Sequence, residues 1–172
     1  MNAHKIYFAH GKESGPWGRK IQALAAVAEA LGFAVESPDY SHTFDPRERV
    51  AQLLALAPGA PGKLVLVGSS MGGAVSIAAS RTVQPDGLFL LAPAVYMEGY
   101  EALPEPRAGL IEVVHGWHDE VVPVDKALRF AREQRARLHL LDSGHTLQDA
   151  IPYLERLFRL FLEDVLAQAD QP

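Results

Sequence analysis

The apolar positions change period several times along the chain. Short, unbroken or β-branched runs at residues 6–9, 33–37, 64–67, 88–91, 110–114 and 138–141 read as six strands. The clearest is Leu64-Val65-Leu66-Val67, flanked by glycines. A run with no polar alternation suits a strand covered on both faces, as in a parallel sheet. Between these runs the period lengthens. Trp17, Ile21, Leu24, Ala28 and Leu31 trace one helical face, with Pro16 at a first helical position and Gly32 as the stop. Asp45-Pro46-Arg47-Glu48 has the form of an N-cap, a proline at N1 and a returning acid, with Val50, Leu53, Leu54 and Ala57 expected to face inward. Residues 71 to about 82 are small and helix-compatible. Val124, Ala127, Leu128 and Ala131 form a further stripe, and Leu154, Leu157, Phe158, Phe161 and Val165 the strongest one.

Strand–helix alternation of this kind predicts an α/β three-layer sandwich: about six mostly parallel strands with helices on both faces. A chain of 172 residues has room for one such domain, 1–172, with 167–172 expected to fray. Residues 92–109 show no clear period and contain Pro93, Pro104 and Pro106. A connection this long points to a functional loop.

Composition narrows the function classes. Sixteen basic against twenty-one acidic residues give a net charge of −5, which offers no electrostatic footprint for nucleic acid or an anionic membrane. Without cysteine, a disulfide scaffold, a thiolate metal site and a cysteine nucleophile are excluded. The apolar run near the N-terminus is shorter than a signal-peptide core, and no run approaches the ~20 residues of a membrane span. Together these point to the cytoplasm.

Gly68-Ser69-Ser70-Met71-Gly72 fits G-x-S-x-G and directly follows the clearest strand. A serine on a sharp strand-to-helix turn needs tiny neighbours two residues before and two after, here Gly68 and Gly72. The turn lifts the Ser70 hydroxyl above the sheet edge and aims the Met71 amide at any oxyanion formed there. A serine hydroxyl needs a base. His145, in Ser143-Gly144-His145-Thr146, follows the last strand, so it falls on the same sheet edge. His115 and His139 lie in or beside strands and read as structural; His4 and His42 read as surface or loop residues. An orienting carboxylate is available in Asp119, after the next-to-last strand, with Glu120 as its adjacent rival and Asp142 more suited to bracing its own loop. His10-Gly11-Lys12 follows the first strand and offers the Lys12 amide as a second oxyanion donor. Tyr40, Tyr96 and Trp117 each follow a strand and are candidates to line a pocket; Met97 and Tyr100 are candidate lid contacts.

His10-Gly11, the Gly68–Gly72 pentapeptide, Gly116-Trp117-His118-Asp119-Glu120-Val121-Val122-Pro123 and Gly144-His145 together resemble the α/β-hydrolase superfamily. The short, cap-less form, matched over residues 5 to about 160, resembles the small YqiA-like esterases and retinoblastoma-binding-protein-9-like serine hydrolases. The resemblance implies Ser70 as nucleophile, His145 as base, Asp119 as the acid, and the Lys12 and Met71 amides as the oxyanion hole. The order Ser, Asp, His along the chain is that of this superfamily. It implies hydrolysis of a small carboxylic ester or thioester through an acyl-enzyme, with no metal or organic cofactor. A non-catalytic binding module on the same fold and an amide or peptide hydrolase with the same triad are the alternatives.

Overall fold

The computed structural model describes residues 3–169. The elements follow in the order β1 (His4–Ala9), α1 (Arg19–Ala30), β2 (Phe33–Glu36), α2 (Pro46–Ala55), β3 (Leu64–Ser69), α3 (Met71–Val83), β4 (Gly87–Leu91), β5 (Leu110–Gly116), α4 (Val124–Gln134), β6 (Arg137–Leu141), a 3-10 turn (Gln148–Ala150) and α5 (Ile151–Ala167). The six strands form one sheet in the order β2-β1-β3-β4-β5-β6, and every neighbouring pair is parallel. Fold class and strand count are as the periodicity predicts.

Strand side chains alternate between two cores. Ile6, Phe8, Val65, Val67, Phe89, Leu91 and Val114 point to the layer of α1 and α5, where Phe89 packs between Phe158 and Phe161 at ring distances of 4.9 and 5.1 Å. Tyr7, Ala9, Leu64, Leu66, Leu88, Leu90 and Val113 point the other way, against Leu53, Val75 and Phe130 of α2, α3 and α4. This period of two explains why the central strands read as continuous apolar runs: both faces are covered.

The chain goes from β1 outward to β2, then returns across β1 to β3. That reversal is the topological switch of the sheet, and it opens a crevice beyond the C-terminal ends of β1 and β3. Register sets Ala9 beside Gly68 and Ser69 beside Leu91, so three strand ends finish level at this edge.

The expected elements shift in a few places. Helix α1 starts at Arg19, with Gly18 as its N-cap, rather than at Pro16. Residues 11–18 instead cross the crevice as a loop, and Trp17 is 46% exposed. In α2 the Asp45 side chain accepts from the Arg47 amide at 2.8 Å, the expected cap, but Glu48 pairs with the Thr43 hydroxyl. The buried stripe of α2 is Pro46, Arg49 and Leu53; Ala57 is exposed beyond the helix at φ 49°. In α4, Phe130 is buried and Leu128 is not. His4 is half-buried in β1, where its Nδ1 accepts from the Lys63 amide. Residues 92–109 contain neither helix nor strand. Helix α5 runs through Ala167, the first residue of the tail expected to fray, and residues 170–172 of that tail lie outside the described residues.

Candidate functional site

Ser70 joins β3 to α3 at φ 53°, ψ −117°. A side chain in this region costs on the order of 1–3 kcal/mol and persists only where neighbours over-determine it. Here the Ser70 amide donates to the Leu91 carbonyl at 3.0 Å, and its carbonyl accepts from the Gly73 and Ala94 amides, both at 2.9 Å. The flanking glycines make room. A Cβ on Gly72 would overlap the Ala9 carbonyl, one on Gly68 would overlap the Gly72 carbonyl, and one on Gly73 would lie 2.7 Å from Pro93 Cβ.

Three loops at the same sheet edge converge on this turn. The Ser70 hydroxyl lies 2.9 Å from His145 Nε2, and His145 Nδ1 lies 2.7 Å from Asp119 Oδ2. A carboxylate only accepts, so Nδ1 carries the hydrogen and Nε2 keeps its lone pair for the serine hydroxyl. Residues 70, 119 and 145, expected to meet at one rim, are thus in hydrogen-bond contact. Asp119 Oδ1 accepts from the Val121 and Val122 amides at 2.8 and 2.7 Å, which fixes the carboxylate plane. Its side chain is fully buried, while that of His145 keeps 21% exposure. Behind it, buried His115 donates Nε2–H to the Val122 carbonyl at 2.8 Å and sits 3.3 Å from Asp119 Oδ2. Gly116 lets the β5 and β6 loops touch, since a Cβ there would overlap the Ser143 carbonyl. The Ser143 hydroxyl donates to Asp149 at 2.5 Å and steadies the loop that carries His145. Glu120 is exposed; Asp142 is also exposed and pairs with His118 at 2.7 Å.

The loop after β1 approaches Ser70 from the other side. A Cβ on Gly11 would lie 3.7 Å from Ser70 Cβ. Neither the Lys12 nor the Met71 amide donates to a protein group among the described residues, and both residues line the crevice. The loop is held by Arg49, a residue the sequence reading passed over. Its guanidinium is completely buried and donates to four carbonyls: Thr43 at 2.9 Å, His10 at 3.2 Å, Gly11 at 3.1 Å and Lys12 at 3.1 Å. His10 adds two bonds, accepting from the Tyr40 amide at 2.9 Å and donating Nδ1–H to the Gly11 carbonyl at 2.8 Å. Burial lowers the His10 pKa and keeps the ring neutral, as this pair of bonds requires.

The crevice above Ser70 is a cavity of about 620 Å³. Met97 and Tyr100, the candidate lid contacts of the 92–109 loop, line it. The aromatic candidates do not. Tyr40 is fully buried, tilted on the His10 ring at 5.6 Å beneath the loop. Tyr96 turns toward α4, where its hydroxyl bonds Glu133 at 2.5 Å and its ring stacks on Arg129 at 3.9 Å. Trp117 is 51% exposed and outside the lining. All three follow strands, but each loop then turns its aromatic away from the crevice. Lys20, also passed over, reaches in from α1 and donates to Ser69 Oγ at 3.0 Å; burial lowers its pKa to about 8. Among the described residues no three His, Cys, Asp or Glu side chains gather into a group that could hold a metal ion, and no helix is long and apolar enough to cross a membrane.

No protein-family model matches the chain, and no curated protein sequence matches it significantly. Solved structures do. A protein assigned to the α/β-hydrolase superfamily, XCC1541 from Xanthomonas campestris pv. campestris, is 36% identical, with a TM-score of 0.85 over 94% of this chain and 99% of that one. XC6422 from Xanthomonas campestris, described as an α/β serine hydrolase without lid, is 19% identical, with a TM-score of 0.75 over 99% of this chain and 85% of that one. Est1E from Butyrivibrio proteoclasticus is 15% identical, with a TM-score of 0.80 over 97% of this chain and 90% of that one. With a six-stranded parallel sheet, a glycine-framed turn at its switch point and 36% identity along nearly the full length of XCC1541, the chain belongs to the α/β-hydrolase superfamily.

Proposed function

We propose that this protein is a serine hydrolase that cleaves a small carboxylic ester or thioester through an acyl-enzyme. The observation that carries the reading is the unbroken hydrogen-bond chain from Ser70 Oγ through His145 to the buried Asp119 carboxylate. Ser70 Oγ attacks the substrate carbonyl carbon as its proton passes to His145 Nε2. Asp119 holds the ring and stabilises the imidazolium. The carbonyl oxygen becomes an oxyanion facing the Lys12 and Met71 amides, which have no other protein acceptor among the described residues. Collapse breaks the bond to the leaving alkoxide or thiolate, which takes the proton from His145. Water then attacks the acyl-serine, giving its proton to Nε2, and the acid departs as Ser70 regains its hydrogen. The crevice is bordered by a loop without helix or strand rather than a separate cap, which favours short acyl groups.

A fluorophosphonate probe tests this directly. The parent protein is expected to be labelled, and Ser70→Ala to lose labelling and ester turnover together. Equal labelling of parent and variant refutes the role of Ser70. A folded parent that reacts with no activated serine probe favours the binding-module alternative.

A further inference from the structure

We propose that Lys20 sets substrate specificity: its ammonium reads a carboxylate carried by the substrate in the crevice above Ser70. The inference rests on the hydrolase reading and names a class of ester within it. The Lys20 side chain lines the crevice and extends to the residue next to Ser70. An ammonium has three donors. Among the described residues Lys20 uses one, toward the neutral Ser69 hydroxyl, and makes no ion pair. The nearby acids do not supply a counter-charge by contact. Both oxygens of Asp119 are committed, to His145 and to the Val121 and Val122 amides. Glu13 and Glu98 line the same crevice, and neither bonds Lys20.

A cation removed from water without a partner is costly, and proteins normally pair it or neutralise it. Among the described residues Lys20 has no salt-bridge partner, only the Ser69 hydroxyl and the more distant charge of Asp119, and it lines the crevice where an ester would lie. A lysine kept there weakens the free protein and favours a bound anion. Lys12 and Arg19 also line the crevice but are exposed; the half-buried Lys20 ammonium beside Ser69 matches one negative charge, as on a carboxylate. The substrates so selected are half-esters of dicarboxylic acids, or esters with a carboxylate on the leaving group. An anion bound beside Lys20 offsets the desolvation that lowers its pKa.

Hydrolysis of p-nitrophenyl butyrate and p-nitrophenyl hemiglutarate, compared as the ratio of kcat/KM values, tests this. In the parent the ratio is expected to favour the hemiglutarate. Lys20→Met is expected to lower it about tenfold or more, chiefly through KM, because a charge-assisted hydrogen bond is lost. Lys20→Arg retains the charge and is expected to keep most of the preference. An equal ratio in parent and Lys20→Met overturns the inference. A second measurement needs no turnover: calorimetric binding of monomethyl glutarate to the Ser70→Ala protein, with and without Lys20→Met. Binding that disappears with Lys20 supports the inference whatever the fate of the hydrolase reading, which the fluorophosphonate experiment judges separately. Equal binding by the two proteins, or none by either, overturns it.

Discussion

At Ser70 the side chain and the backbone make opposing demands. The hydroxyl must stand clear of the sheet, within 2.9 Å of His145 Nε2, and the turn that achieves this holds an L-residue at φ 53°. Glycine is free of that penalty because it has no Cβ. Ser70→Ala and Ser70→Gly both delete the hydroxyl, but only the second releases the strain. Ser70→Gly is therefore expected to be the more stable of the two by about 1 kcal/mol, after allowance for glycine's greater freedom in the unfolded chain. Urea midpoints of the two variants measure it; a less stable glycine variant would mean that the neighbours bear no strain at this turn. The same reasoning explains why the turn was legible in the sequence. Gly68, Gly72 and Gly73 are there because Cβ atoms would collide with carbonyls or with Pro93. A steric requirement that local leaves its mark within five residues of Ser70.

At the scale of elements, legibility follows the range of the forces involved. Strand β3 announces itself because both faces are covered by helices, so every side chain must be apolar. The sequence places the start of α1 too early because Pro16 suits a first helical turn and a loop equally well; the helix begins at Arg19. Arg49 escaped notice for a different reason. Its partners at His10, Gly11 and Lys12 lie 37 to 39 residues away and are backbone carbonyls, which have no residue type to betray them. The available signal was a charge four residues before buried Leu53, on the apolar stripe of α2; Lys20 likewise precedes buried Leu24 by four. Helix α2 thus works as a brace: its arginine holds three consecutive carbonyls and, on the proposed reading, leaves the Lys12 amide to the oxyanion. Arg49→Lys keeps a charge but loses the planar fork. It is expected to lower kcat about tenfold or more with a smaller change in KM, since a misplaced oxyanion donor matters most in the transition state. Steady-state kinetics with circular dichroism as the folding control test it. A change confined to KM would place Arg49 outside this role.

Across the whole molecule, two bases beside the crevice, buried His10 and half-buried Lys20, couple its chemistry to the stability of the fold. His10 and Lys20 both have pKa values lowered chiefly by burial, so each binds protons more weakly folded than unfolded. Stability then rises with pH wherever the unfolded chain holds the extra proton. For His10, whose surroundings include Arg49 and Asp39, that window lies below the ordinary value of 6.5: stability is present above it and is lost as pH falls through the folded value. For Lys20 the window runs from about 8 up to the ordinary 10.5. Beyond pH 10 the slope reverses, because the buried Tyr40 phenol, its pKa raised by burial, keeps a proton that the unfolded chain gives up. At pH 7 Lys20 is charged in both states, and in the ligand-free protein the Ser69 hydroxyl and the charge of Asp119 offset only part of its desolvation. Lys20→Met is therefore expected to be more stable than the parent at pH 7 by about 1–2 kcal/mol, and to lose the further rise between pH 8 and pH 10. His10→Gln is expected to flatten the decline between pH 7 and pH 5. Urea denaturation at pH 5, 7 and 9.5 reads both limbs, and a Lys20→Met profile parallel to the parent's would show that the ammonium is solvated rather than buried. Stability gained together with selectivity lost is the pattern expected where a destabilising charge is retained for binding, because the residue that weakens the empty protein is the one that an anionic substrate rewards.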